Sequence, residues 1–190
     1  MNQRRRIFIA INIPQNIKNL LKNYQKKWPD LPVKWVKPEN LHITLSFIGY
    51  VNNDELLDIC KTVNDVVLKS QPFSIGLKEI CYGPLGKMPP RMVWVIGEKN
   101  EQLNILKNNL EKSLNGKSYF SPENKNFTPH ITLGRIKQWE FRRMEPDEID
   151  DIKEEIDAIF PVDSIEIMES HLKRGGAEYA VLESIPLGDF

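Results

Sequence analysis

The sequence predicts an α+β fold built on antiparallel sheets, and three observations carry that expectation. Strand-like segments occur in adjacent pairs as often as they alternate with helical ones, which disfavours a doubly wound parallel sheet. One tetrapeptide recurs letter for letter nearly half a chain apart, which predicts two similar lobes about a pseudo-twofold axis. No low-complexity stretch or domain-separating linker interrupts the 190 residues, so residues 1–190 read as one bilobal domain.

The elements follow in order. Residues 4–13 put Ile7, Ile9, Ile11 and Ile13 on one side and Phe8, Ala10 and Asn12 on the other, the period of a strand. Pro14 opens a helix, and the stripe Ile17, Leu20, Leu21, Tyr24 and Trp28 runs along it until Pro29 and Pro32. Residues 33–36 form a short strand, Pro38-Glu39-Asn40 a turn, and residues 41–48 a strand stopped by Gly49. Asn53 or Asp54 caps a second helix carrying Leu56, Ile59, Cys60, Val63 and Val67. Residues 73–82 alternate again, and two Gly and three Pro between Gly83 and Pro90 make a loop. Residues 91–98 form a strand, followed by a helix with Leu103, Leu106, Leu110 and Leu114, a polar loop over 115–129 and a strand over 130–136. Residues 146–159 read as an acidic amphipathic helix. Residues 162–172 and 177–187 close the chain as a hairpin turning at Gly175-Gly176.

Composition narrows the function. With 26 basic and 26 acidic side chains the formal charge is zero, which excludes polyanion binding through the whole surface and leaves room for a local basic cleft. The 41% hydrophobic content excludes a disordered chain. The longest apolar runs, Ile7 to Ile11 and Met92 to Ile96, are five residues, against about 20 for a membrane span. Arg4-Arg5-Arg6 before Ile-Phe-Ile-Ala-Ile has the outline of a signal peptide. Asn12 and Pro14 break it, no small-residue cleavage site follows, and it reads as a first strand. Cys60 and Cys81 lack C-x-x-C spacing and read as buried free thiols of a reducing compartment, so a cytoplasmic protein without a membrane role is expected.

The chemistry lies in the repeat. His42-Ile43-Thr44-Leu45 returns as His130-Ile131-Thr132-Leu133. On a strand, residues two apart share a face, so His42 with Thr44, and His130 with Thr132, project together while Ile43, Leu45, Ile131 and Leu133 root the strands in a core. Two imidazoles facing across one cavity, each beside a hydroxyl, suit a phosphodiester. A ring with an unperturbed pKa near 6.5 can hold or accept a proton at neutral pH. In-line displacement needs a base on the attacking water and an acid on the departing alkoxide. The threonine hydroxyls can donate to the non-bridging oxygens. No H-E-x-x-H or close His–His spacing points to zinc, and no G-x-S-x-G to a serine nucleophile. His171, on a polar strand stretch, reads as a surface residue.

The paired H-x-T-L motifs resemble those of the two-histidine (2H) phosphoesterase superfamily. The blocks RRIFIAINIP, WVKPENLHITLSFIG, PRMVWVIG, FTPHITLGRIK and GGAEYAVLESIPL are similar in kind and order to those of its bacterial and archaeal RNA 2′,3′-cyclic phosphodiesterases, formerly called 2′-5′ RNA ligases. The resemblance implies a bilobal α+β fold with two antiparallel sheets, helices on the outside and a central cleft. It implies opening of the cyclic phosphate at RNA 3′ ends, or in small cyclic nucleotides, to a 2′-phosphomonoester, with no metal and no cofactor. His42 takes the position of the proton donor to the leaving 3′-oxygen and His130 that of the base on water, an assignment that rests on the resemblance alone. Thr44 and Thr132 match the phosphate-contacting hydroxyls, and Arg135 matches a basic position after the second motif. Strict alternation turns Arg135 away from Thr132, so it either reaches the cleft through a bulge near Gly134 or is a solvated strand-end charge. Phe47 has the same parity problem and reads as core packing. Phe8, opposite the isoleucine stripe, is a candidate to line the cleft and stack on a base, and Arg91, Lys34, Lys37 and Lys137 are candidates for a basic cleft mouth. A monomer is expected. The alternatives are a module of this fold that binds nucleotide or RNA without turnover, or 2′-5′ ligation by the reverse reaction.

Overall fold

Alternation at the start of the chain becomes the strand it predicts. β1 (Arg5–Asn12) buries Ile7, Ile9 and Ile11 on one face and Phe8 and Ala10 on the other. The structure, a computed structural model, describes residues 4–122, 127–174 and 176–188. α1 (Gln15–Gln25) begins directly after Pro14 and buries Ile17 and Leu21. It ends short of Trp28, which leaves the helical stripe and packs on Trp35 of β2 (Val33–Trp35), ring centroids 6.4 Å apart.

A 3₁₀ turn at Pro38–Asn40 leads into β3 (His42–Val51). Gly49 does not stop this strand: it takes φ +96°, a conformation glycine adopts without penalty, and β3 continues to Val51. α2 (Asn53–Val67) is capped by Asn52, one residue before the expected candidates. The Glu55 N–H donates to the Asn52 side chain and the Asn52 N–H to the Glu55 carboxylate, a reciprocal capping box. β4 (Phe73–Gly83), β5 (Met92–Gly97), α3 (Glu101–Leu114), β6 (His130–Ile136) and a short α4 (Gln138–Phe141) follow. The expected loop over 115–129 has no helix or strand where described; residues 123–126 of it lie outside the described residues.

The acidic helix expected over 146–159 is not formed. A 3₁₀ turn at Pro146–Glu148 precedes β7 (Lys153–Val162). From Ile152 to Phe160 the buried residues are Ile152, Ile156 and Phe160, and a spacing of four fits a period of two as well as 3.6. Pairing with β4, from Phe73↔Val162 to Cys81↔Lys153, decides for the strand. β7 lies at the sheet edge, where Pro161 is tolerated. β8 (Ser164–Lys173) and β9 (Gly176–Pro186) form the closing antiparallel pair. The expected turn falls partly on Gly175, outside the described residues.

The strands run in the order β7-β4-β5-β6-β3-β1-β8-β9, with β2 also on β6. Two four-stranded antiparallel halves, β7-β4-β5-β6 and β3-β1-β8-β9, thus meet where Ile43 pairs with Ile131. Each half places its motif strand innermost and beside it the strand that leads to it through a helix: β1–α1–β3 on one side, β5–α3–β6 on the other. Ile9, Ile43, Leu45, Val93, Val95, Ile131 and Leu133 share one core with Leu21 of α1, Ile59 and Val63 of α2, and Leu103, Leu106 and Leu110 of α3. The helices therefore cover one sheet face, and the opposite face of the central strands is left to the cleft. Among the described residues no helix is long and apolar enough to cross a membrane.

Cys60 and Cys81 are free and half-buried. Burial, aided by neighbouring carboxylates, pushes the Cys60 thiol up to about 12 and that of Cys81 up to about 11, so neither is a thiolate at neutral pH.

Candidate active site

The duplicated tetrapeptide is duplicated in structure over a longer stretch. From His42 to Ile48 and from His130 to Ile136 the pattern of burial is the same: half-buried His and Thr alternate with buried residues, then two buried residues in succession, one exposed, one buried. The two successive buried residues mark a bulge in each strand. On β3, Ile9 pairs with Ser46 and Ala10 with Thr44, so Leu45 is the extra residue. On β6, Val93 pairs with Gly134 and Trp94 with Thr132, so Leu133 is extra. An extra residue reverses the parity beyond it. That turns Phe47 and Arg135, which strict alternation would point away, onto the side of His42 and Thr132, and both line the cleft. Gly134 is required at its bulge: a Cβ there would sit 2.3 Å from Val33 Cγ1 and 2.8 Å from Trp35.

Antiparallel pairing at Ile43↔Ile131 sets His42 opposite Thr132 and Thr44 opposite His130. Both isoleucines are fully buried, so the four polar side chains share the other face. All four line one cleft of about 1020 Å³. The segments far apart in sequence therefore meet.

Each imidazole is held in the same way. Nδ1 of His42 donates to the Asn40 carbonyl at 2.7 Å, and Nδ1 of His130 to the Thr128 carbonyl at 2.8 Å. A carbonyl only accepts, so Nδ1 carries the hydrogen and Nε2 is the nitrogen that gains or loses a proton. The Thr44 hydroxyl donates to Nε2 of neutral His42 at 3.1 Å. The aromatic supports differ. His130 stacks on Trp94 of β5 at 3.8 Å between centroids. His42 lies against Phe8 at 5.0 Å and edge-on to Tyr179 of β9 at 5.1 Å. Trp94 lies over Gly83, where a Cβ would stand 2.3 Å from the indole.

Burial holds the His42 imidazole below its ordinary value of 6.5. The carbonyl bond at Nδ1 opposes this, and His130, Lys18 and Arg135 add to the depression. His42 is accordingly neutral at neutral pH. An unfolded chain takes up this proton near 6.5 and the folded one only lower, so between the two the unfolded state binds more protons. Stability contributed by neutral His42 is present above pH 6.5 and lost as pH falls through the folded value. A proton NMR titration should give His42 a midpoint below 6.5; a midpoint at or above it would contradict this environment.

Not every expected residue lines the cleft as expected. Phe8 lies on the cleft side but is only 3% exposed, covered by His42 and Tyr179, so its ring supports His42 and offers no open face to a base. Phe47, expected in the core, is 54% exposed because of the bulge. Lys34, Lys37, Arg91 and Lys137 do not line the cleft; Arg6, Lys87, Lys107 and Arg135 supply its cations. Lys37 and Lys137 instead pair with Glu39 and Glu140. His171 is on the surface, 3.6 Å from Glu169. Trp94 and Tyr179 lie outside the repeated motif and escape a reading based on it. Met92 and Trp94 alternate with the small buried Val93 and Val95, and that parity is the available signal. Among the described residues no three of His, Cys, Asp or Glu are grouped to hold a metal ion.

The chain is similar to known proteins over most of its length. The family model described as LigT like Phosphoesterase matches residues 7–94 and 96–179. An RNA 2′,3′-cyclic phosphodiesterase of Methanocaldococcus jannaschii is 32% identical over 178 residues, covering 94% of this chain and 98% of its own. One from Thermotoga maritima is 33% identical over 186 residues, covering 93% and 92%. A crystal structure of a Thermus thermophilus protein superposes with a TM-score of 0.84 at 29% identity over 97% of this chain and all of its own. E. coli LigT, crystallised with 3′-AMP, shares the fold at a TM-score of 0.81 and 23% identity, covering 98% of this chain and 100% of its own.

Proposed function

The chain belongs to the LigT-like phosphoesterase family, and we propose that it hydrolyses 2′,3′-cyclic phosphates at RNA ends by passing protons between His42 and His130. The observation that carries this reading is the pair of rings, from segments far apart in the chain, held at Nδ1 by equivalent carbonyls on one cleft.

Water attacks phosphorus while Nε2 of His130 accepts its proton. The bond from phosphorus to the 3′-oxygen breaks, and Nε2–H of His42 donates to that oxygen. The product is a 2′-phosphomonoester with a free 3′-hydroxyl, and proton exchange with solvent resets the rings. The depressed pKa of His42 has a place in this scheme. A phosphodiester anion in the cleft opposes the cost of burial and favours the imidazolium, so the acid is charged when substrate is bound. Thr44, Thr132 and Arg135 line the same cleft, and in this scheme they donate to the non-bridging oxygens.

Incubation with a nucleoside 2′,3′-cyclic phosphate tests the reading. The expected product is the 2′-phosphate isomer, with turnover unchanged by EDTA. Formation of the 3′-isomer, or activity lost in EDTA and regained with zinc, would overturn the mechanism. Binding of the 2′-phosphate without hydrolysis of its cyclic precursor would favour a binding module, and appearance of 2′-5′ joined ends would favour ligation.

A further inference from the structure

A second hollow of about 330 Å³ adjoins the cleft, lined by Lys87, Arg91, Arg142 and Gln138 with parts of the Gly86–Pro89 loop. Lys87 lines both cavities, so the two share one cationic side chain. No carboxylate is among the described residues that line the hollow. Among the described residues its three cations make no ion pair, whereas Lys107, Lys117, Lys137 and Lys173 are each matched by a carboxylate. In a chain of zero net charge this is a local positive excess.

The hollow is tied to the catalytic strands. The Arg91 N–H donates to the Gly83 carbonyl at 2.9 Å, and the Ile136 N–H to the Arg91 carbonyl at 3.0 Å. Gln138 Nε2 donates to the Pro90 carbonyl at 2.7 Å. The next residue, Met92, touches Thr132 across β5 and β6, its sulfur 4.0 Å from the hydroxyl. Arg91 stands three positions from Trp94, so about 10 Å of strand separates it from the ring that backs His130.

We propose that this hollow binds the phosphodiester on the 5′ side of the terminal nucleotide of an RNA substrate, an inference that rests on the phosphodiesterase reading of the cleft. Guanidinium forks match phosphate oxygens, and the Lys87 ammonium adds a point charge between the two sites. A nucleoside cyclic phosphate carries one phosphate, and the histidines take it. Only a longer chain has a second anion to offer here. The same short helix presents Trp139, 70% exposed with Arg143 4.5 Å from its ring centroid, an aromatic surface one residue after Gln138 and three before Arg142 in the chain. The hollow thereby separates RNA ends from free cyclic nucleotides.

The test compares a nucleoside 2′,3′-cyclic phosphate with a short RNA ending in the same group. For R91A/R142A the KM for RNA should rise roughly tenfold, and the salt dependence of log KM should flatten by roughly 1.4, two contacts at about 0.7 each. Kinetics on the nucleoside should stay within about twofold, since it does not reach the hollow. R91K/R142K should recover most of the loss. Unchanged RNA kinetics, or an equal loss on both substrates in a folded variant, would overturn the proposal. If the wild-type protein hydrolyses neither substrate, it is the phosphodiesterase reading that fails. Fluorescence anisotropy with a short RNA ending in a 2′-phosphate then still tests the hollow: weaker binding by R91A/R142A supports it, and unchanged binding overturns it.

Discussion

Replacing His42 or His130 by alanine is expected to lower kcat/KM on a 2′,3′-cyclic phosphate by about 10²–10⁴-fold, the range for loss of a positioned acid or base. At 1.36 kcal/mol per tenfold that is roughly 3–5 kcal/mol of transition-state stabilisation. KM should move little, because the cleft keeps Thr44, Thr132 and Arg135, the proposed phosphate donors. The double variant should be about as slow as the slower single one, since a relay missing one end gains nothing from the other. The limbs of the pH profile identify the roles. Residual activity of H42A should lose the alkaline limb, which reports an acid that must stay protonated. That of H130A should lose the acidic limb, which reports a base that must stay neutral. Two single variants turning over at near wild-type rates would end the two-histidine reading.

The second large effect is on stability. Ile43 and Ile131 are fully buried, and they form the paired position at which the halves of the sheet meet. Ile43→Ala should cost about 2–5 kcal/mol in urea unfolding, the usual range for removing a buried Ile, and Ile131→Ala a similar amount. The two substitutions touch one contact, so their sum should not equal the double variant. Ile43→Val should cost only about 0.5–1.5 kcal/mol. Ile159→Ala, at a position 70% exposed, serves as the control and should change stability by less than about 0.5 kcal/mol. A cost below about 1 kcal/mol for Ile43→Ala would mean that the lobes are held together elsewhere.

Much of the site is legible from strand parity. His42, Thr44, His130 and Thr132 share a face because residues two apart must, and the repeat announces that the two strands play equal parts. What parity does not supply is its own interruption. Each bulge is fixed by pairing with a neighbouring strand, through Ile9 and Ala10 in one half and Val93 and Trp94 in the other, and no local pattern records where a ladder gains a residue. Strict alternation therefore assigns Phe47 to the core and leaves Arg135 between cleft and solvent. The segment at 153–162 departs from its expected helix for a related reason. Ile152, Ile156 and Phe160 satisfy two periods at once, and a partner distant in sequence, β4, chooses between them. The cap at Asn52 falls one residue early because three successive residues, Asn52, Asn53 and Asp54, are all good caps and only the reciprocal bond to Glu55 separates them.

The matching bulges set a carrier of positive charge, Arg135, in one lobe and an aromatic ring, Phe47, at the corresponding place in the other. A perfectly symmetric cage would accept a cyclic phosphate in either of two poses related by half a turn, with the nucleoside to the left or to the right. Unequal flanks make those poses unequal in energy. Beside the unlike aromatic supports of the two rings, this position gives the cleft handedness, and under the proposed mechanism the division of labour between the histidines becomes a matter of which way round the guest is seated.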